Sequence, residues 1–388
     1  MIEMLVYGLL KILMYQSLLD PTQISLIWLL IFLAFMVLQF FPNIPLNWMT
    51  VRTLSRIADK LKVLNEFDIR GKKTLAEQLK KYGANVDKMN EYVQEIVEYF
   101  DIGPVDRDPY GILNRLEYII DLSRFRLRSL LKSYAPNIDE GTLSTLENTA
   151  AVANILHLIN KVAKHYYNLA KKFRNFYIAQ QIEFIMPQLI DLAKNYYKAL
   201  PATTQQIPIG DGIGPLVIAN MYRKYNVAEV KDVGNEMILG EAYFENRKLL
   251  LMKAKGPGGT VGKPGASVKQ IVDLYKDAIK VIITIDAASK LEGEETGSIA
   301  QGIGAAIGDP GPEKYKIEEA ALTYRIPLVA IIIKQGFNEA ISPMVKQIAT
   351  KVDEVIERVE KLIREMVPEG GMALVVGIGN TLGVGNGA

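Results

Sequence analysis

"KVIITID", residues 280–286, is a short apolar run rich in β-branched residues that ends on an acid. Its length and composition predict a buried strand rather than a helix. Similar runs lie on either side of it: "RKLLLMKA" (247–254), "IPLVAIII" (326–333) and "MALVVGIG" (372–379). Helical patterns at about 266–278, 312–324 and 338–366 separate them. Strands alternating with helices predict an α/β fold, here a three-layer α/β/α domain over 205–388 with a mostly parallel sheet covered on both faces. Such sheets bind ligands beyond the carboxyl ends of their strands, which sets Asp286 on the functional rim. An aspartate there also serves often as a turn acid or helix cap.

Upstream, "IPIGDGIGPLV" (207–217) sets Asp211 between Gly210 and Gly212, with Gly214 and Pro215 behind. So little side-chain cover predicts a tight turn that displays the acid at the start of a helix. After the run 247–254 comes "KGPGGTVGKPGAS" (255–267), whose backbone N–H groups and following helix N-terminus suit an anion. The spacing nevertheless fails the P-loop pattern, because Pro257 stands where glycine is required and Pro264 replaces the Ser/Thr. Gly210, Gly212 and Gly214 give G-x-G-x-G rather than the dinucleotide fingerprint, with no clear strand before them.

Residues 50–200 are helically periodic almost throughout and predict an all-helical middle domain, with a linker-like "PATTQQIP" (201–208) after it. Its tyrosine pairs, Tyr166/Tyr167 and Tyr196/Tyr197, read as packing residues or as a partner-binding face. "DIGPVDRDPYG" (101–111) punctuates the helices, and its Asp106 and Asp108 fit a capped turn or a cation site. Residues 21–51 carry no charge, and "ISLIWLLIFLAFMVLQFF" (24–41) is about the length that crosses a bilayer. A single transmembrane helix with its flank over 21–49 is therefore expected, ended by Pro42 and Pro45, with Trp28 and Trp48 at the interfaces. Residues 1–20 read as an interfacial amphipathic segment, without the features of a cleaved signal peptide. Arg52, Arg56, Lys60 and Lys62 after the span, against Lys11 before it, place the soluble domains in the cytoplasm of a single-pass cell-membrane protein.

Lys and Arg number 45 against 43 Asp and Glu, a net charge of +2, which gives no reason to expect a nucleic-acid partner. With no cysteine, disulfides, thiol nucleophiles and thiolate metal sites are excluded. His157 and His165, eight apart in a helical stretch, share one face, but no acid one turn away completes a metal site. No metal and no cofactor is expected.

The motifs resemble those of known proteases. "PIGDGIGPLVIANMY" (208–222) is similar to the acid-bearing helix entry of hydrogenase maturation proteases and to the matching segment of spore germination proteases. "VIITIDAA" (281–288) resembles the strand ending in their second acid. "GPGGTVGKPGASVKQIV" (256–272), "TGSIAQGIGAAIGDPG" (296–311) and "YRIPLVAIII" (324–333) follow the order of a germination protease. One element is displaced: the strand and turn of type G-I-G-N-T-L lies at "VVGIGNTLG" (375–383), so the resemblance is to a circularly permuted member. The whole chain also resembles an uncharacterised family of membrane-anchored archaeal proteins.

This resemblance implies an endopeptidase whose acids, Asp211 and Asp286, act as a coupled pair, one activating water and the other protonating the leaving group. It implies substrate-binding roles for Gly210, Gly212, Gly258, Gly259, Gly262, Thr296, Gln301, Gly379 and Asn380. The partners implied are the membrane, a protein or peptide substrate and a further copy of the chain. No histidine follows His165, which argues against the nickel recognition of the hydrogenase maturation proteases; Glu292, Glu294 and Glu295 are the substitutes, or simply a solvated loop. Two rival readings stand beside it: a membrane-tethered nucleotide- or anion-binding regulatory module, and a non-catalytic scaffold.

Overall fold

The computed structural model of the chain describes residues 29, 32, 43–104, 111–308 and 311–387. Helices come first: α1 (Asn43–Lys81), α2 (Met89–Val97), α3 (Ile112–Tyr134), α4 (Glu140–Phe173) and α5 (Phe176–Gln205). Helix α6 (Ile213–Lys224) then leads to β1 (Val230–Gly234), β2 (Met237–Phe244) and β3 (Arg247–Ala254). The remainder alternates: α7 (Pro264–Tyr275), β4 (Ile279–Ser289), β5 (Ile299–Ile303), α8 (Pro312–Thr323), β6 (Leu328–Gln335), α9 (Phe337–Ile341), α10 (Lys346–Ala349), α11 (Val352–Met366) and β7 (Met372–Gly377).

The chain divides into two compact units, Met1–Leu61 with Val162–Pro187, and Lys62–Lys161 with Gln188–Ala388. In the first, Ile57, Ala163, Ala170, Ala179, Ile182 and Met186 are buried, and Arg56 donates to Glu183 at 2.8 Å. Among the described residues no helix is long and apolar enough to cross a membrane. That finding overturns the expected transmembrane helix over 21–49 and the single-pass membrane localisation that followed from it. The physical reason lies in α1, which begins at Asn43, carries Pro45 in its first turn and takes up Arg52, Arg56, Asp59 and Lys60, charges that want water. Residues 1–20, the stretch 24–41 apart from Leu29 and Phe32, and Asp106 and Asp108 lie outside the described residues.

In the second unit a helical core gathers Leu75 and Leu79 of α1, Val93 and Ile96 of α2, Leu130 and Leu131 of α3, and Leu143, Leu146 and Ala150 of α4. The sheet runs β1-β2-β3-β7-β4-β6-β5. Its centre is parallel, β3 to β7, β7 to β4 and β4 to β6, whereas β1–β2, β2–β3 and β5–β6 are antiparallel. The sheet is therefore mixed, which corrects the mostly parallel sheet expected. Tight turns join β1, β2 and β3 as a hairpin ribbon on one edge, and on the other β5 follows β4 through a loop with no helix between them, so it runs back along the sheet and pairs antiparallel with β6.

Strand alternation divides the core into two. Val281, Ile283 and Ile285 of β4, with Val329, Ile331 and Ile333 of β6 and Ala373 and Val375 of β7, pack against α6 and α11. Ile282, Leu374 and Val376 point the other way, against α7 and α8. Three layers result, with both faces of β4 and β7 buried, and the carboxyl ends of β4, β6 and β7 open onto one rim.

Candidate active site

Asp286 takes its position from the alternation of β4. Thr284 and Asp286 follow Ile282 toward the α7/α8 face. The Thr284 hydroxyl accepts from the Ala306 N–H at 2.8 Å and donates to the Val329 carbonyl at 3.3 Å, which ties the loop after β5 to the strand. Asp286, 5% exposed, accepts from its neighbour Ala287 N–H at 2.7 Å and from the Gly308 N–H of the same loop.

Asp211 arrives from the other layer, in the short 3-10 turn Gly210–Gly212 that opens α6. Its Oδ2 accepts from the Asn380 N–H at 2.8 Å, so the segment after β7 folds back onto the turn before α6. Two glycines make this closeness possible. A Cβ on Gly214 would lie 2.3 Å from the Ile378 carbonyl oxygen and 2.4 Å from that of Ile285, so the start of α6 is pressed onto the ends of β7 and β4. At Gly379, with φ of +133°, a Cβ would lie 2.0 Å from the Asp211 carbonyl oxygen.

A cavity of about 770 Å³ opens over these strand ends, within the range of ligand sites. Asp211, Asn380, Ala287, Gly308 and Gln335 form its floor, while Asn148 and Ile155 of α4 and Tyr196 and Thr203 of α5 line it from the helical side. Asp286 lies just behind Ala287. No Lys, Arg or His is among the described residues that line the cavity. Burial first, and then the negative charge of Asp211, hold the Asp286 carboxyl well above the usual carboxylate range, against the two backbone N–H bonds it accepts. Burial also raises Asp211, with the Asn380 N–H pulling the other way. Both carboxyls are thus pushed toward the protonated form, and the charge of one opposes ionisation of the other.

The glycine-rich loop 255–263 does a different job. Thr145 Oγ1 donates to the Gly258 carbonyl at 3.2 Å, Asn148 Nδ2 to that of Gly259 at 2.7 Å, and the Thr260 N–H to Thr381 Oγ1 at 3.0 Å. The loop fastens α4 to the segment after β7. Lys263 is paired with Asp121 at 2.6 Å. The N-terminus of α7 is already occupied by a carboxylate of this chain, since the Gly265 and Ala266 N–H groups donate to Glu313 Oε2 at 2.7 and 3.1 Å. Glu313→Ala is expected to cost about 1 kcal/mol through the lost cap, read as a lower urea midpoint with an unchanged slope.

Of the residues singled out in the sequence, the fold brings Asp211, Asp286, Gly210, Gly212, Gly379 and Asn380 together. Gly258, Gly259 and Gly262 lie in the fastening loop and do not line the cavity. Thr296 donates to the Glu339 carboxylate at 2.9 Å, and Gln301 is exposed on the edge strand β5. Glu294 pairs with Lys334. His157 Nδ1 lies 3.2 Å from Asp68 Oδ1, His165 meets Tyr166 edge-on, and no group of three or more possible metal ligands occurs among the described residues. Tyr197 packs on Phe67 with ring centroids 5.2 Å apart, whereas Tyr196 faces the cavity. Gln335, Asn148 and Tyr196 are site residues that the sequence reading missed. The polar end of an otherwise apolar strand, "AIIIKQG", is the local signal for Gln335.

The candidate site is thus an acid pair at the carboxyl rim of an α/β sheet, under a helical cover. Two family models match the chain: "Protein of unknown function (DUF1512) N-terminal domain" over residues 27–206 and "Domain of unknown function (DUF1512) C-terminal" over 209–385. The chain carries the N- and C-terminal domains of the DUF1512 family. No curated protein matches it.

Proposed function

We propose that this chain is a hydrolase of amide bonds in peptide segments, with Asp211 and Asp286 as its working pair. The observation that carries the reading is the meeting of two buried carboxyls, both pushed toward the protonated form, at the edge of a roofed cavity. Asp211, at the cavity surface, takes a proton from the attacking water. The proton that Asp286 retains limits the negative charge of the pair and supplies the leaving amine. Asn380 fixes the orientation of Asp211 through its backbone N–H. The resemblance of 208–222 and 281–288 to hydrogenase maturation and spore germination proteases points the same way, and kinship with those enzymes and archaeal origin belong to this reading.

An anion- or nucleotide-binding role has less support, because no cation is among the described residues of the cavity wall and Glu313 fills the helix N-terminus that would hold a phosphate. The test is incubation of the purified chain with a mixed peptide library, read by mass spectrometry. New termini that appear with wild type and not with Asp211→Asn support the reading. Equal cleavage by both, or none by either, ends it.

The raised Asp286 also dictates a pH dependence. Its folded form binds a proton more tightly than its unfolded form, whose value is near 3.8. Between that value and the raised one the folded state holds more protons than the unfolded state, so stability falls as pH rises through the window. Asp286→Asn cannot ionise. Its Tm is expected to lie near that of wild type at pH 4 and to exceed it increasingly toward pH 8, with about 1.4 kcal/mol for each unit by which the carboxyl is raised. Thermal melts across that range check it.

A further inference from the structure

Gln335 ends β6 at the cavity floor. It is 1% exposed, and neither its Oε1 nor its Nε2 has a hydrogen-bond partner among the described residues. Unmade hydrogen bonds are costly at such depth, and a buried amide without partners on both atoms calls for an explanation. The amide is turned in toward Gly210, so a group in the cavity meets it only when the side chain swings outward. Its Oε1 lies 2.6 Å from where a Cβ of Gly210 would be, so it occupies the space that the glycine leaves beside Asp211. Around it the cavity wall is small and apolar, with Ala287, Ala288, Ile332 and Ala340.

A side-chain amide offers one acceptor and one donor side by side. In an extended chain, the N–H and C=O of a single residue point the same way and present the complementary pair, the match that joins neighbouring strands. We propose that Gln335 grips the main chain of one extended substrate residue, Oε1 accepting its N–H and Nε2 donating to its carbonyl, and so positions the neighbouring amide at Asp211. The inference deepens the peptidase reading and rests on it for the role of Asp211. It makes recognition at this point depend on the backbone of the substrate and not on a charged side chain, in keeping with the absence of a cation among the described wall residues.

The probe is acetylated, amidated penta-alanine, titrated into isotope-labelled full-length Asp211→Asn protein while the Gln335 side-chain NH2 resonances are followed. The expected result is a saturable shift of both resonances, absent for the same peptide N-methylated at every residue. Propionamide serves as the competitor that has a carboxamide and no main chain. No shift with the peptide, an equal shift with the methylated copy, or a shift with propionamide alone overturns the proposal. In the wild-type background, Gln335→Met is expected to raise KM about tenfold on a cleaved peptide with kcat little changed, and to keep or raise Tm, since it removes two buried unpaired atoms. A residue that merely holds the fold would lower Tm instead. Cleavage with an unchanged KM in Gln335→Met sinks the grip and leaves the peptidase standing. Peptide-induced shifts without cleavage by wild type do the reverse.

Discussion

Asp211→Asn is expected to lower peptide cleavage by about 10²- to 10⁴-fold, the usual worth of a positioned general base, while the protein stays folded. The amide retains an oxygen for the Asn380 N–H, so the turn before α6 keeps its tie to the segment after β7. On the proposed mechanism it removes the group that accepts the proton of water. Asp286→Asn is expected to lose activity to a similar degree and to gain stability, because a buried carboxyl gives way to a neutral side chain. The opposite directions of those two effects are the diagnostic result. Turnover measured beside thermal melts on the same preparations checks both, and a variant that lost activity only by unfolding would show a lower Tm.

The largest structural effect is expected at Gly214. An alanine there would bring its methyl carbon against two backbone carbonyls, at 2.3 and 2.4 Å, and neither the end of β7 nor that of β4 can withdraw without breaking the parallel ladder between them. Gly214→Ala is therefore expected to cost about 3 kcal/mol or more, read as a lowered denaturant midpoint, with α6 displaced and Asp211 moved off the rim. Gly103→Ala is the control, since nothing lies within 4 Å of a Cβ there. Equal midpoints for the two variants would mean that α6 is not pressed on the strand ends.

The strands at the centre of the sheet were legible as runs because both of their faces are buried, and a run of Val, Ile and Leu bounded by glycine has few other uses. The edges were not. β1 has a half-exposed pattern and β5 is almost wholly exposed, so neither makes a run, and together with β2 they carry the antiparallel pairs that make the sheet mixed. Asp211 and Asp286 were legible from glycine flanks and from the end of a strand. Gln335 was not, because its importance lies in an absence of partners that only the packed chain reveals. The glycine loop misled for a related reason: the group that fills the helix N-terminus behind it, Glu313, lies 48 positions further along and leaves no local trace. Apolar segment 24–41 reads as a span by hydropathy alone, yet the helix that follows it is charged within three turns. The helical cover over the cavity was illegible because periodicity tells which face of a helix is apolar and not what that face meets.

The position of β7 bears on the order in which the protein is made. It lies between β3 and β4, yet both of those leave the ribosome more than eighty residues ahead of it. A nascent chain therefore holds two unpaired inner edges, open to wrong partners, until its late central strand arrives. The same strand delivers Asn380 to Asp211. The candidate site is thus complete only after β7 has been made and has slotted between strands that preceded it.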